Sequence, residues 1–231
     1  MDKIIKQINR ICPPDLYEIG FASLSGLLSS EFSHYNYGIS LARKLDDSVM
    51  DSIYQGPTIE YYDLYHQINN ELNQKTQKIT ILLKDNDMEA FPIKATENES
   101  ELDDDYRNTL RYPFSHKMVA TRAGLGWIGK TDLMVTFRFG ARIRLASILI
   151  TASIGEPGNP VNESQCGDCT VCVDSCPARA ATGQLWTIQI DRDQFYDPYK
   201  CRDYCRKISL EKINKNISLC GLCLTVCPQG K

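Results

Sequence analysis

The sequence predicts an α/β domain over residues 1–157, followed by a small cysteine-rich module over residues 158–231. Three observations lead to this division. Helical and strand-like apolar patterns alternate through the first part of the chain. The stretch 155–160 reads Gly-Glu-Pro-Gly-Asn-Pro, which is typical of a linker. Beyond the linker, eight of the ten cysteines fall into two motifs. A length of 231 residues suits one mid-sized domain and one small one.

Apolar spacing predicts the elements of the first domain in order. Isoleucines at helical spacing indicate a first helix that ends before Pro13, and Pro57 opens a long helix that runs to about Lys75. Residues 97–105 carry six carboxylates and are predicted to form a solvated loop. The other predicted elements are strands near 16–22, 35–42 and 88–94, a segment 78–83 that extends the long helix or forms a strand, a helix over 116–124, and two paired strands over 133–137 and 143–151.

The cysteine spacing indicates two iron–sulfur clusters. The stretch 166–177 has the form C-x2-C-x2-C-x3-C-P, the spacing of bacterial ferredoxins that hold two [4Fe–4S] clusters. A second motif covers 220–228, with Cys201 upstream as its candidate fourth ligand. Three closely spaced thiolates wrap one cubane, and the cysteine before the proline reaches the neighbouring cubane. The first cluster is therefore assigned to Cys166, Cys169, Cys172 and Cys227, and the second to Cys176, Cys201, Cys220 and Cys223.

Two other uses of the cysteines are less consistent with this pattern. A zinc ribbon also uses C-x2-C pairs, but it lacks the x3-C-P step. A disulfide framework belongs to secreted chains, and the sequence shows no secretory signal. Cys205 lies one helical turn after Cys201 and is the alternative isolated ligand. Cys12 is interpreted as a small buried hydrophobe.

Composition and cysteine content predict which partners and which cellular compartment the protein has. The net charge of −3 gives no indication of a nucleic-acid or anionic-membrane partner. No apolar run approaches the ~20 residues that a membrane span needs. Because the chain carries many cluster ligands, we expect it to lie in the cytoplasm of an anaerobic cell. We also expect it to transfer single electrons at low potential.

A glycine loop over 124–131 satisfies two nucleotide-binding patterns. It fits G-x-x-x-x-G-K-[ST], the phosphate-binding P-loop, and it contains G-x-G-x-x-G, the dinucleotide fingerprint. Both patterns need a buried strand before the loop and a helix after it. Here a helix is predicted before the loop and a strand after it. A tight helix-to-strand turn with Trp127 in the core is therefore favoured over nucleotide binding, and an ATP-dependent iron–sulfur protein remains the less favoured alternative.

Taken with the cysteines, this loop resembles a known family. Ala123 to Lys130 reads Ala-Gly-Leu-Gly-Trp-Ile-Gly-Lys and resembles the A-G-L-G-W-I-G-K segment of epoxyqueuosine reductases. Residues 139–147 resemble a segment shared by that family and reductive dehalogenases. Tyr65-His66, residues 197–204 and the motif over 220–228 are similar to further family segments. The resemblance runs from about residue 57 to the end of the sequence.

The resemblance implies a corrinoid-dependent iron–sulfur reductase. Its fold would be a nitroreductase-like α+β sandwich followed by the ferredoxin-like module. Two [4Fe–4S] clusters would pass electrons from reduced ferredoxin or flavodoxin to cobalamin, which would reduce a small-molecule substrate. The loop glycines would allow close backbone approach to a flat macrocycle, and strand arginines would hold corrin amides or a substrate anion, unless they are exposed edge charges. The residues implied at the corrin are Gly124, Leu125, Gly126, Trp127, Gly129, Lys130, Arg142 and Arg144.

Two departures from the family shape the remaining expectations. The family's proton-donor aspartate, about fourteen residues before the loop, has no counterpart in the stretch 110–116. His116, Tyr112 and Lys117 are the available donors, and His116 could titrate near neutrality, although an ordinary surface histidine is the alternative. The sequence stops where the family continues with a tRNA-binding extension, so nucleic acid is expected to be an unlikely partner. The alternative function is an electron-transfer protein that reduces the corrinoid of a partner protein.

Overall fold

A computed structural model describes residues 2–97 and 102–229 of the chain. The chain forms two compact units, each built from three separate segments. The sheet unit comprises Met1–Lys44, Ile68–Leu125 and Arg144–Val161, and the cluster unit comprises Leu45–Gln67, Gly126–Ile143 and Asn162–Lys231. The units are thus interleaved along the chain, whereas the sequence predicts one domain after the other. Two segments of the predicted first domain, Leu45–Gln67 and Gly126–Ile143, fold with the cysteines.

The sheet unit is organised around four strands in the order β1-β2-β6-β3. Strand β1 (Tyr17–Ser23) pairs antiparallel with β2 (Tyr37–Lys44), and β3 (Ala90–Ile93) pairs antiparallel with β6 (Ile143–Ile150). Alternating and continuous apolar residues form these strands because branched side chains pack well on a pleated surface. Core side chains include Ile39, Leu41, Ala146, Ile148 and Leu149.

Helices complete the sheet unit. The bounds are α1 Asp2–Ile11, α3 Ile59–Lys84, α4 Asp104–Thr109 and α5 His116–Arg122, with a 3-10 turn at Ser30–Phe32. The Lys75 ammonium donates a 2.5 Å hydrogen bond to the Ile11 carbonyl, so it satisfies an acceptor at the end of α1. Helix α3 is 26 residues long, and its first nine residues belong to the cluster unit.

The cluster unit contains short elements around its cysteines. It holds α2 Asp47–Ser52, the hairpin of β4 Gly126–Ile128 and β5 Met134–Thr136, and α6 Val171–Asp174, α7 Arg192–Phe195, α8 Pro198–Ile213 and α9 Leu222–Val226. The Asp197 side chain accepts hydrogen bonds from the backbone of Tyr199 and Lys200, and so caps the start of α8. Gly221 begins α9 at φ 83°, where a Cβ would lie 2.4 Å from Ile53 Cδ1, so only glycine fits there.

The structure decides one alternative left open by the sequence and corrects another prediction. The segment 78–83 continues α3 as helix. The strands predicted over 133–137 and 143–151 both exist but do not pair with each other, because β5 pairs with β4 and β6 joins the larger sheet. The acidic stretch falls partly outside the described residues, and its described end begins α4. Over the described ranges, no helix combines the length and apolar character needed to cross a membrane.

Candidate metal centre

The first group of cysteines is brought together by residues far apart in sequence. Cys172 lies at the start of α6 and interacts electrostatically with Cys227, Cys166 and Cys169. Burial raises the pKa of the Cys172 thiol, and these sulfur neighbours raise it further. A positive iron would remove this penalty by binding the thiolate. These four thiols are the set that the sequence assigns to the first cluster.

The second group surrounds Cys223 on α9. Burial raises the pKa of Cys223, and the thiols of Cys201, Cys220, Cys172 and Cys176 add to the rise. Three of these four are the remaining ligands assigned to the second cluster. The fourth, Cys172, belongs to the first group, so the two groups lie next to each other, as electron transfer between two clusters requires.

Zinc sites and cubanes place different demands on the positions of their ligands. In a zinc site four ligands converge on one ion. Among the described residues, no three histidine, cysteine, aspartate or glutamate side chains converge on a point that could hold a single metal ion. A cubane instead spreads its thiolates over four different irons, so its ligands do not need to meet at one point.

A fifth thiol adjoins the second group. Cys205 Sγ lies 3.8 Å from Cys201 Sγ, one turn along α8. Hydrogen bonds to Cys201 and Cys220, together with burial, raise the pKa of Cys205. The hydrogen bond between Cys205 and Cys201 is also the main reason that the pKa of Cys201 falls to about 7, with a contribution from a hydrogen bond with Tyr196. Cys12 lies in the sheet unit, where burial raises its pKa to about 12, in line with a buried apolar role.

The glycine loop contacts the first cysteine motif. The Trp127 indole Nε1 lies 3.4 Å from Cys166 Sγ, and the Lys130 ammonium donates a 2.8 Å hydrogen bond to the Gly167 carbonyl. A hydrogen bond from Thr131 lowers the pKa of Cys172 and partly offsets the effect of burial. Three polar side chains of the loop therefore contact the thiols assigned to the first cluster or the backbone beside them. Hydrogen bonds to cluster sulfurs are a recognised way to set a reduction potential.

The loop glycines are required by the protein's own packing. A Cβ on Gly126 would lie 1.9 Å from the Val135 carbonyl oxygen, inside the β4–β5 hairpin. A Cβ on Gly124 would lie 2.7 Å from the Asn159 carbonyl oxygen. The hairpin strands also occupy the place where a P-loop needs a helix. The tight-turn interpretation accounts for these glycines, and neither a corrin nor a phosphate is needed to explain them.

The two arginines implied at the corrin lie in different units. Arg142 is 1% exposed and bonds Asp47 Oδ1 at 3.1 Å and Asp51 Oδ1 at 2.5 Å, so it is neither an exposed edge charge nor directed at an open pocket. Arg144 is half-buried and its Nε donates to Asn69 Oδ1 at 2.9 Å. The remaining implied residue, Leu125, is 6% exposed and packs in the sheet unit.

The three candidate proton donors all belong to the sheet unit. Tyr112 is 41% exposed, and partial desolvation raises its pKa, so its hydroxyl stays protonated. Lys117 is half-buried on α5. His116 Nε2 lies 2.8 Å from the Lys94 carbonyl, which can only accept, and Nδ1 lies 2.9 Å from Ser147 Oγ. Nε2 therefore carries a proton, and Nδ1 can accept a hydrogen bond from the Ser147 hydroxyl.

His116 does not titrate near neutrality, contrary to expectation. Burial lowers its pKa to about 4, and the charge of Arg144 lowers it further, against a backbone hydrogen bond that raises it. Because the unfolded chain takes up this proton near pH 6.5, the stability from neutral His116 is complete above that pH and is lost as pH falls toward 4. Between pH 7 and pH 5 the loss should be roughly 2 kcal/mol.

This expectation is tested by urea unfolding of the cluster-loaded protein without oxygen. The wild type should lose more stability from pH 7 to pH 5 than His116→Gln, which cannot be protonated. Equal pH dependence of the two proteins would contradict a buried neutral imidazole.

Sequence reasoning missed two features of the site. It did not identify Thr131 as a hydrogen-bond partner of Cys172, although the Lys-Thr pair after the loop was visible within the P-loop pattern. It also did not identify Asp47 and Asp51 as partners of Arg142. Their spacing of four residues places both on one helix face, which was the available signal.

Comparison with known proteins supports the prediction of two [4Fe–4S] clusters and the family resemblance. Residues 165–230 match the family described as a 4Fe-4S double cluster binding domain. The epoxyqueuosine reductase of Bacillus anthracis is 34% identical over 123 residues, which cover 51% of this chain and 30% of that protein. The epoxyqueuosine reductase of Lactococcus garvieae is 36% identical over 113 residues, covering 49% and 31%. The resemblance to epoxyqueuosine reductases is thereby confirmed, with about 30% of these relatives' length matched.

Solved structures show the same fold. A reductive dehalogenase described in terms of B12-dependent dehalogenation superposes with a TM-score of 0.66 at 13% identity, over 93% of this chain and 30% of that chain. An epoxyqueuosine reductase solved with an epoxyqueuosine-modified tRNA stem loop gives 0.62 at 18% identity, over 99% and 64%. The mixed α/β fold with a double-cluster module is therefore confirmed, while the nitroreductase-like description stays a prediction.

Proposed function

We propose that the chain is an iron–sulfur oxidoreductase that carries low-potential electrons, one at a time, through two [4Fe–4S] clusters to a corrinoid acceptor. The observation that carries this proposal is the arrangement of eight cysteines in two adjacent groups of four, centred on Cys172 and Cys223. The family match over residues 165–230 supports the cluster type. Adjacent clusters pass single electrons, and the protein's part is to place them and to set their potentials.

Electrons enter from a reduced ferredoxin or flavodoxin in this proposal. Cys169 and its neighbours Gly167 and Val171 are exposed, so the edge of the first cluster is open to a partner of that kind. A reducing cytoplasm suits a cluster ligand exposed in this way, because it protects thiolates and cubane from oxidation.

The corrinoid acceptor is supported by the fold shared with a B12-dependent dehalogenase. A bound corrin would supply a cobalt that collects electrons and transfers them to an organic substrate. The residues implied by the resemblance do not fit as its cradle, however. The Lys130 ammonium already donates to the Gly167 carbonyl, and the Arg142 guanidinium already bonds Asp47 and Asp51. At Gly126, backbone atoms of β5 fill the space that a Cβ would take.

This mismatch favours a second candidate function. The chain would deliver electrons to the corrinoid of a partner protein and would bind no corrin itself. If the chain binds its own corrin, the macrocycle must be held by other residues. Tyr112 and Lys117 remain the proposed proton donors, since the single ring proton of His116 is already donated to Lys94.

The substrate expectation needs a correction. The expectation that nucleic acid is an unlikely partner is at odds with the similar protein that was solved with a modified tRNA stem loop. We therefore place an epoxyqueuosine-containing tRNA beside small organic molecules as candidate substrates. A single-turnover assay with that stem loop, under dithionite and added cobalamin, distinguishes the two classes by formation or absence of the reduced base.

The proposal is tested by anaerobic purification with added hydroxocobalamin, followed by metal analysis and EPR. Two cubanes require about eight irons per chain. Eight irons with stoichiometric cobalt and a Co(II) signal would establish a corrinoid reductase. Eight irons without cobalt, with reduction of a separate corrinoid protein, would establish the electron carrier. A chain that binds zinc and no iron would refute both.

A further inference from the structure

Five cysteines, and not four, gather at the second cluster. Cys201 and Cys205 are four residues apart on α8, so their side chains lie on one helix face, and their sulfurs are 3.8 Å apart. Cys205 also hydrogen-bonds to Cys220, the first cysteine of the closing motif. A [4Fe–4S] cubane takes four protein thiolates. One thiol at this cluster is therefore surplus.

The surroundings of Cys223 indicate which thiol is surplus. Cys223 interacts with Cys201, Cys220 and Cys176, and these four form a complete ligand set. Cys205 interacts with two members of that set, Cys201 and Cys220. It is 7% exposed, and its sulfur lies 3.8 Å from that of Cys201. Cys205 is thus the thiol left outside this set of four.

We propose that Cys205 is an uncoordinated thiol that donates an S–H···S hydrogen bond to the ligand Cys201, with Cys220 as a second acceptor, and thereby holds the second cluster at a more positive potential. Reduction adds negative charge to the cluster and its thiolates. A hydrogen-bond donor stabilises that charge more in the reduced state than in the oxidised state, and burial strengthens the effect. Tyr196 makes a second hydrogen bond to Cys201, so this ligand thiolate would receive two donors.

The inference also assigns the isolated ligand, which spacing alone left open between Cys201 and Cys205. It rests on the proposed double-cluster function. Within that function, Cys205 acts through Cys201 and Cys220 and is a positioning residue that takes no part in coordination.

The test compares Cys205→Ala, Cys205→Ser and the control Cys12→Ala in cluster-loaded protein kept free of oxygen. Cys12 is a buried thiol in the other unit. Iron content and EPR-monitored potentiometric titration are measured for each. Cys205→Ala should keep about eight irons, while one of its two midpoint potentials shifts negative by about 59 mV, a tenfold change in reduced-to-oxidised ratio. Cys205→Ser should restore part of the shift through its hydroxyl donor, and Cys12→Ala should match the wild type.

Other outcomes overturn the inference. Loss of one cluster in both Cys205 variants, with full iron content in Cys201→Ser, would make Cys205 the ligand. Full iron content with unchanged midpoint potentials in Cys205→Ala would show that the thiol does not affect the reduction potential of either cluster. Loss of one cluster in the Cys205 variants and in Cys201→Ser alike would also overturn it, since the thiol would then be needed for assembly. A wild-type chain without two cubanes would instead refute the proposed function itself, so the two failures are distinguishable.

Discussion

Replacing Cys176 with alanine should remove the second cluster and spare the first, although Cys172, four residues earlier, is assigned to the first. The physical reason is that α6 separates the two sulfurs, so that Cys172 faces Cys227, Cys166 and Cys169 while Cys176 lies near Cys223. The Cys176→Ala variant should lose about four of about eight irons, because one of its two cubanes is missing. This is among the largest effects expected for any single substitution in the chain.

Pairs of variants show which cysteines share a cluster. Cys176→Ala combined with Cys220→Ala should lose no more iron than either change alone, because both ligate the same cubane. Cys176→Ala combined with Cys172→Ala should lose both cubanes. The same logic pairs Cys227→Ala with Cys166→Ala, although the two residues lie 61 positions apart in the sequence. Iron analysis and EPR measure the outcome, and a Cys172/Cys176 double variant that retains four irons would refute the crossed assignment.

The double-cluster module could be predicted from sequence because it depends on the local spacing of its cysteines. Three thiolates within seven residues can wrap one cubane whatever the rest of the chain does. The paired elements β1 and β2, and the helix α3, were also predictable, since each depends on a pattern of apolar residues within one segment. In these cases local sequence and final structure agree.

The roles of Lys130 and Arg142 could not be predicted in the same way. Their partners lie 37 and 95 residues away, at Gly167 and Asp47, and no local pattern encodes such a contact. The loop around Lys130 matches phosphate-binding patterns because phosphate sites and tight hairpins both need glycine. The interleaving of the two units along the chain could not be predicted for a related reason. The linker at 155–160 looks like a boundary, yet the Gly158 amide donates a hydrogen bond to the Phe21 carbonyl of β1.

Replacing Arg142 with methionine should destabilise the cluster unit and release iron from it. The guanidinium bonds Asp47 and Asp51 on α2 and also reaches the Thr225 carbonyl on α9 at 3.3 Å, while the Thr225 hydroxyl bonds the Met50 carbonyl. One buried side chain thus joins α2 to the helix that carries Cys223. Loss of a buried ion pair costs about 3–5 kcal/mol. The aspartates are 45% and 64% exposed and recover hydration, so about 2–4 kcal/mol is expected here.

The matched control is Arg144→Met, which removes an arginine two residues away that bonds Asn69 in the sheet unit. Iron per chain and the midpoint of urea unfolding, both measured without oxygen, compare the variants. Arg142→Met should lose iron at a lower urea concentration than wild type, whereas Arg144→Met should keep its iron content. If Arg142 instead served a corrin, its variant would lose cobalt binding while its iron content and unfolding midpoint stayed unchanged. The experiment therefore separates a residue that holds the cysteine helix in place from one that holds a macrocycle, and the buried ion pairs favour the first.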